Sequence, residues 1–309
     1  MAEKIGIIGM GLMGQAFIKN LLEAGFMIQG YDVDPKRMDQ LEKQGGTALS
    51  KPADVIIDTK FLIISLPTSQ ITRDILLSDN GILQAAGNGL HICDTTTSHP
   101  DESKDIANYL KSYDIEYLDA AVSGTSKMAA EKDLVVIAGG KKKAFDYCKT
   151  LFSGFARNSY YMGPSGSGAK TKLVINLILA GNRLALAEGL LLGDKAGLNL
   201  DSLLTVIQDG ACSSKTMIDK GPKMIKSDYS KQGQVKLSLK DSRLMLELGQ
   251  KVGAPLLMTS IYSQIMQVAL EKGYSEKDTV AFYEILRGMA GLEEREGIDS
   301  VAMTETKKV

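Results

Sequence analysis

Short apolar runs and longer stretches of helical periodicity alternate through the first half of the chain. The runs fall at residues 4–8, 27–31, 61–65, 91–94, 116–120 and 134–139, with helical segments such as 15–24 between them. Each run has strand length and is bounded by turn residues. That alternation predicts an α/β class with a doubly wound, largely parallel sheet. Beyond Gly163 the pattern changes. Strand alternation stops, and helices are predicted at 200–208, 235–251, 254–271 and 276–289. Pro255, Gly273 and Gly291 fall at or just outside the breaks. The expected division is a sheet domain, 1–163, followed by an all-helical domain, 164–309.

Residues 166–196 sit between these two regimes. From Ala169 onward Leu, Val, Ile and Ala dominate without proline, which predicts one long helix. Its span of about 28 residues would cover about 40 Å. It is apolar on nearly every face, the mark of a buried helix. Asn176, Asn182, Arg183 and Glu188 interrupt the apolar run and argue against a membrane span. Lys172 and Asn176, four residues apart, share one face. On spacing alone the plainer reading is a helix-start lysine reaching water beside an asparagine satisfied by a neighbouring helix. GPSGSGAKT from Gly163 almost matches a phosphate loop. However, Ala169 adds a residue between Gly168 and Lys170, and no apolar strand is predicted to lead into Gly163. Nucleoside-triphosphate hydrolysis is therefore set aside.

Composition narrows the partners. With 36 basic and 37 acidic residues in 309 and a formal charge of -1, neither nucleic acid nor an anionic membrane is favoured. Cys93, Cys148 and Cys212 are few and widely spaced, which suits a reducing compartment and offers no disulfide or zinc framework. The two histidines, His91 and His99, cannot build a metal cluster by themselves, and no metal is expected. The first residues enter a strand without a basic segment and an apolar signal, so a cytoplasmic location is expected.

The first predicted strand runs into Gly9, Gly11 and Gly14, spaced G-x-G-x-x-G at a turn from strand to helix. There the first glycine permits the tight turn, the second lets a pyrophosphate approach the backbone, and the third lets helix pack on strand. The helix amino terminus adds unpaired N–H groups and partial positive charge. Asp32 follows the second strand about twenty residues on, where an acid binds the ribose of a dinucleotide. A carboxylate there repels a 2′-phosphate, so NAD is favoured over NADP. Lys36 and Arg37 lie close enough to soften that preference, although a solvated helix start is their plainer role. The carboxyl ends of later strands carry Ser65 to Ser69, Asp94 to Thr97 and Asp119 to Gly124. Ligands of such sheets bind beyond those ends.

Four ordered motifs resemble those of the β-hydroxyacid dehydrogenases, the family of 3-hydroxyisobutyrate dehydrogenase and tartronate semialdehyde reductase. IGIIGMGLMGQAFIKNL is similar to the family's cofactor signature, DAAVSGT from Asp119 to its D-A-P-V-S-G-G substrate loop, and GSGAKTKLVIN to its G-x-G-x-x-x-K-x-x-x-N segment. Lys240-Asp241 resembles its late K-D pair. The resemblance covers nearly the whole chain and reverses the plainer reading of Lys172. It implies an amino-terminal Rossmann domain and an all-helical second domain that serves substrate binding and assembly. The implied activity is hydride transfer between NAD(H) and a small carboxylate-bearing β-hydroxy acid or its semialdehyde. Lys172 and Asn176 would be catalytic, with Ser123, Gly124, Thr125 and Lys240 at the substrate. Gly9, Met10, Gly11, Leu12, Met13, Gly14, Asp32, Leu66, Pro67, Thr97 and Lys240 would lie along the cofactor. Homodimers or homotetramers would help cover the long helix.

As a base, Lys172 needs a pKa below the value of about 10.4 for free lysine. Burial and the charge of Lys240 would both act in that direction. Ala121, Thr125, Ile175 and Gly233 depart from the family pattern, and these changes touch substrate specificity more than hydride transfer. Two rivals are an NADP-dependent imine reductase of the same fold and a noncatalytic dinucleotide-binding scaffold. Lys172 argues against both. His99, after the Thr95 to Thr97 turn, is a rival base whose plainer role is at a loop or helix start.

Overall fold

The computed structural model describes residues 3–78, 81–85 and 89–293. The last part of the expected second domain, 294–309, lies outside the described residues. The chain divides after Leu173 into two compact units.

Among the described residues the first unit holds an eight-stranded sheet. Its strands are β1 (Lys4–Ile8), β2 (Met27–Tyr31), β3 (Thr47–Ala48), β4 (Phe61–Ile64), β5 (His91–Asp94), β6 (Glu116–Ser123), β7 (Val135–Gly139) and β8 (Asn158–Gly163). Their order is β3-β2-β1-β4-β5-β6-β7-β8, and every neighbouring pair is parallel except β6 with β7. The chain winds outward from β1 in one direction and then from β4 in the other, so Ile7 pairs with Gly30 on one side and Ile63 on the other. All four residues of β4 are buried. Such continuous apolar strands need cover on both faces.

Helices supply that cover. They are α1 (Leu12–Glu23), α2 (Pro35–Lys43), α3 (Ser69–Leu77), α4 (Pro100–Leu110), α5 (Ser126–Ala130) and α6 (Lys142–Phe155). Phe17, Ile18 and Leu21 of α1 share one core with Phe145, Phe152 and Phe155 of α6. Phe17 and Phe155 have ring centroids 4.6 Å apart. On the other face Leu62, Ile64 and Ile92 pack with Val55, Leu76, Ile106 and Leu110. Each such side chain contributes about 1.5–3 kcal/mol on burial. The expected doubly wound α/β class is the one found.

Two strands are absent from the apolar pattern, each for a local reason. β3 has only two residues, and β8 is an edge strand whose residues alternate between exposed and half-buried. β8 also corrects the expectation that no strand leads into Gly163, because it ends on that residue. β6 outruns its apolar core, since Val122 and Ser123 pair with Val136 and Val135 across the antiparallel ladder.

The long helix α7 (Ser167–Lys195) has 29 residues. After it come α8 (Leu200–Asp209), α9 (Lys215–Ile225), α10 (Val235–Val252), α11 (Leu257–Ala269) and α12 (Phe282–Met289). The core of the second unit gathers Leu184, Ala187 and Leu190 of α7 with Met224, Tyr262, Met266, Phe282 and Tyr283. The sequence pattern omits α9, which contains Gly221 and Pro222. Its Ser214 cap and buried Met217 and Met224 override those poor formers. α12 starts six residues later than expected because of Asp278, which is fully buried. Its carboxylate takes the N–H groups of Gln232, Gly233 and Val280 and pairs with Lys220 Nζ at 3.2 Å. Burial pushes the Lys220 ammonium below its usual range, against the pull of Asp278. α7 corrects a further expectation. The apolar pattern predicts a helix buried on nearly every face, yet only 39% of its most apolar stretch is buried. Val174, Ile178 and Leu192 are 55%, 54% and 72% exposed.

Candidate active site

The turn after β1 lies where the strand order reverses. Gly9 has φ +89°, and a Cβ there would stand 2.3 Å from Ser65 O, just beyond β4. A Cβ on Gly14 would stand 2.2 Å from Gly9 O, so that glycine lets α1 fold back onto the turn. At Gly11 the space is open, with only Arg37 Nη1 within 4 Å, at 3.9 Å. Gly11 caps α1 without any side-chain hydrogen bond. The start of α1 thus borders open space that no side chain of Gly11 occupies. These residues fit a pyrophosphate, which needs backbone donors at close approach. Leu12 is exposed, Met13 is partly buried against the core, and Met10 is wholly buried. What Met10 offers the loop is its N–H, which donates to Asp32 Oδ2 at 2.6 Å.

The ends of β4 and β5 are tied together. Leu66 N donates to Thr96 Oγ1 at 3.2 Å, and Thr95 Oγ1 donates to Ile64 O at 2.8 Å. Leu66 also reaches the glycine turn, 3.0 Å from the place of a Cβ on Gly9. Pro67 is exposed and Thr97 half-buried at these ends. Below them Asp94 is buried, with its carboxyl pushed up to about 6 by burial, while Thr96 and Tyr117 pull the other way. Tyr117 OH donates to Asp94 Oδ2 at 2.7 Å. His99 caps α4: Asp101 N donates to His99 Nδ1 at 3.2 Å, so that nitrogen is an acceptor.

At the end of β6 Ser123 is half-buried; beyond it Gly124 is exposed with φ +143°, and Thr125 caps α5 by accepting the Met128 N–H at 3.3 Å. Asp119, earlier on the same strand, anchors α7. It accepts the N–H of Gly166 at 2.9 Å and of Ala169 at 2.8 Å. Burial raises its pKa against those bonds. Between them Gly168 lies so close to the sheet that a Cβ would stand 2.1 Å from Asp119 O. Gly168 of the phosphate-loop lookalike therefore serves helix-on-strand packing. One turn along, Lys172 is half-buried.

In the second unit, Asn176 Nδ2 donates to Asp241 Oδ2 at 2.9 Å, and Lys240 Nζ lies 3.1 Å from Asp241 Oδ1. Asp241 thereby joins two residues singled out from the sequence. In the sequence only the K-D pair with Lys240 signals it. The sequence likewise places Asp119 in a substrate-loop motif, and its anchoring of α7 emerges only in the fold.

A glycine turn at the reversal of strand order, backed by a buried acid after β2, defines a dinucleotide-binding α/β protein. Residues 4–163 match the model for the NAD-binding domain of 6-phosphogluconate dehydrogenase. Residues 166–286 match that for the NAD-binding region of NADP-dependent 3-hydroxyisobutyrate dehydrogenase. The chain belongs to the β-hydroxyacid dehydrogenase family, oxidoreductases that use a nicotinamide dinucleotide. It is 30% identical to glyoxylate/succinic semialdehyde reductase 1 of Arabidopsis thaliana, covering 92% of this chain and 98% of that one. It is 28% identical to the cytokine-like nuclear factor N-PAC of Anopheles gambiae over 91% of this chain, but spans only 50% of that relative. The crystal structure of 3-hydroxyisobutyrate dehydrogenase from Salmonella typhimurium superposes with a TM-score of 0.85 at 25% identity, over 92% of this chain and 99% of that one.

Proposed function

We propose that the chain transfers a hydride reversibly between NAD(H) and a small β-hydroxy acid or the corresponding semialdehyde, with Lys172 as general acid and base. The observation that carries this reading is a lysine and an asparagine one turn apart on α7, just past the turn that Asp119 anchors. Bound nicotinamide dinucleotide supplies or accepts the hydride. The open turn at Gly11 and the uncapped start of α1 hold its phosphates, and Asp32 receives the adenosine ribose hydroxyls of NAD.

Lys172 Nζ gives a proton to the substrate oxygen when an aldehyde is reduced. It takes the hydroxyl proton when the alcohol is oxidised. Asn176, held by Asp241, orients the lysine or the hydroxyl. The N–H groups of Ser123, Gly124 and Thr125 receive the substrate carboxylate. While Thr125 accepts the Met128 N–H, its own hydroxyl proton stays available to donate. Lys240 adds a cation for the cofactor or the acid group. A small carboxylate-bearing substrate is thus the expected partner, for a cytoplasmic homodimer or homotetramer with no nucleic-acid or membrane partner. The formal charge of -1 and the exposed apolar positions of α7 support that part.

An imine reductase or a noncatalytic scaffold is disfavoured by Lys172 and Asn176. Nicotinamide absorbance should decide among the three. Purified protein is assayed with small hydroxy acids, semialdehydes and cyclic imines, with NAD and NADP separately. Turnover of hydroxy acids is expected. Turnover of imines alone, or of nothing in the presence of bound dinucleotide, rejects the reading.

A further inference from the structure

Asp32 does not stand alone at the end of β2. Its side chain is 3% exposed. Oδ2 accepts the Met10 N–H at 2.6 Å and Oδ1 the Asp34 N–H at 2.9 Å. Arg37 Nη1 lies 3.1 Å from Oδ2 and 3.4 Å from Oδ1, while Arg37 Nε lies 3.5 Å from Asp34 Oδ2. The same Nη1 borders the open space at Gly11. Arg37 therefore stands between the acid and the glycine turn, with 43% of its side chain in water.

This arrangement changes what Asp32 implies. A bare carboxylate disfavours a 2′-phosphate, but one paired with a guanidinium is largely neutralised toward it. A guanidinium also carries five N–H donors in a planar fork suited to phosphate oxygens, and its bonds to Asp32 leave several of them unused. Its other neighbour, Asp34, caps α2 through Lys36 N and holds Arg37 only as a part-exposed pair. That exposed pair does not fix the guanidinium, and Asp32 keeps the N–H groups of Met10 and Asp34 when Arg37 turns away and ribose hydroxyls replace it.

Resting on the dinucleotide-dependent reading above, we propose that Arg37 sets the nucleotide preference. It pairs with the 2′-phosphate of NADP, and it turns away from Asp32 when the ribose hydroxyls of NAD claim that carboxylate. Both nucleotides are then accepted.

Binding to the full, cofactor-free chain tests this without any turnover. Dissociation constants for NADH and NADPH, and for ADP-ribose and its 2′-phosphate, are measured by calorimetry on the wild type, Arg37→Ala and Lys36→Ala. The wild type is expected to bind both classes. Arg37→Ala should weaken the two 2′-phosphorylated ligands by about tenfold or more, as the loss of a charged hydrogen bond implies. NADH and ADP-ribose should hold or tighten, and Lys36→Ala should leave the ratio unchanged. Equal weakening of all four ligands, an equal effect from Lys36→Ala, or a wild type that binds NADH but not NADPH would overturn the role of Arg37. A wild type that binds none of the four overturns the dinucleotide reading itself, and the proposal with it.

Discussion

Asp94 is 1% exposed, and burial lifts its carboxyl to about 6 from an ordinary 3.8. The fold therefore favours the neutral acid. The resulting stability is fully present below pH 3.8 and lost as pH rises through about 6, a difference of about 3 kcal/mol. Asp94→Asn keeps an acceptor for Thr96 N and a polar partner for Tyr117, so it removes mainly that penalty. Denaturant melts should show the variant stabilised by about 2 kcal/mol at pH 7.5, with the gain fading by pH 4. A gain that does not change with pH would refute the assignment. Lys172 makes a separate demand at this scale. Lys172→Ala should cut turnover by about 100-fold or more with NADH binding intact, the usual share of a general acid–base. Unchanged turnover would remove the lysine from the mechanism.

At the scale of elements, the start of α7 is set by contact with the sheet. Asp119 takes two of its N–H groups, and Gly168 brings the helix within reach of Asp119 O. Gly168→Ala would force helix and strand apart, and overpacking of that kind costs about 1–3 kcal/mol. A lowered melting temperature with a reduced kcat is expected, because the turn that carries Lys172 moves with the helix. Melting equal to wild type would show that the junction tolerates a side chain. His99 belongs to this scale as well. It caps α4 through Nδ1, a role that an asparagine oxygen can take over. His99→Asn should leave both the melting temperature and the pH dependence of turnover unchanged. A lost pH limb would return His99 to the chemistry.

For the whole molecule, the open question is the exposed side of α7. Val174, Ile178 and Leu192 remain more than half exposed on a helix that is otherwise rich in buried aliphatic residues. A second copy of the chain would cover them. Light scattering after size exclusion should give a multiple of 33.3 kDa for the wild type. The double variant Ile178→Lys, Leu192→Lys should shift toward the monomer. A wild-type monomer, or a double variant with unchanged mass, would exclude α7 as the contact.

Sequence alone determined most of what is local. Apolar runs at 4–8, 27–31 and 91–94 named their strands to the residue, because the interiors of parallel strands are buried on both faces and mostly apolar. The spacing of Gly9, Gly11 and Gly14 before Asp32 identified the cofactor turn, because Gly9 and Gly14 answer backbone contacts that a Cβ would block and Gly11 leaves the helix start open. Tertiary structure decided what depends on partners distant in the chain. Half-exposed β8 carries no buried run, and α9 holds Gly221 and Pro222, which only packing in the core overrules. The sequence places Asp119 in a loop motif and Asp241 in a K-D pair, but only the fold brings Ala169 to one and Asn176 to the other. Arg37 read as a solvated helix start until α2 laid it across Asp32, since a salt bridge is a property of positions in space.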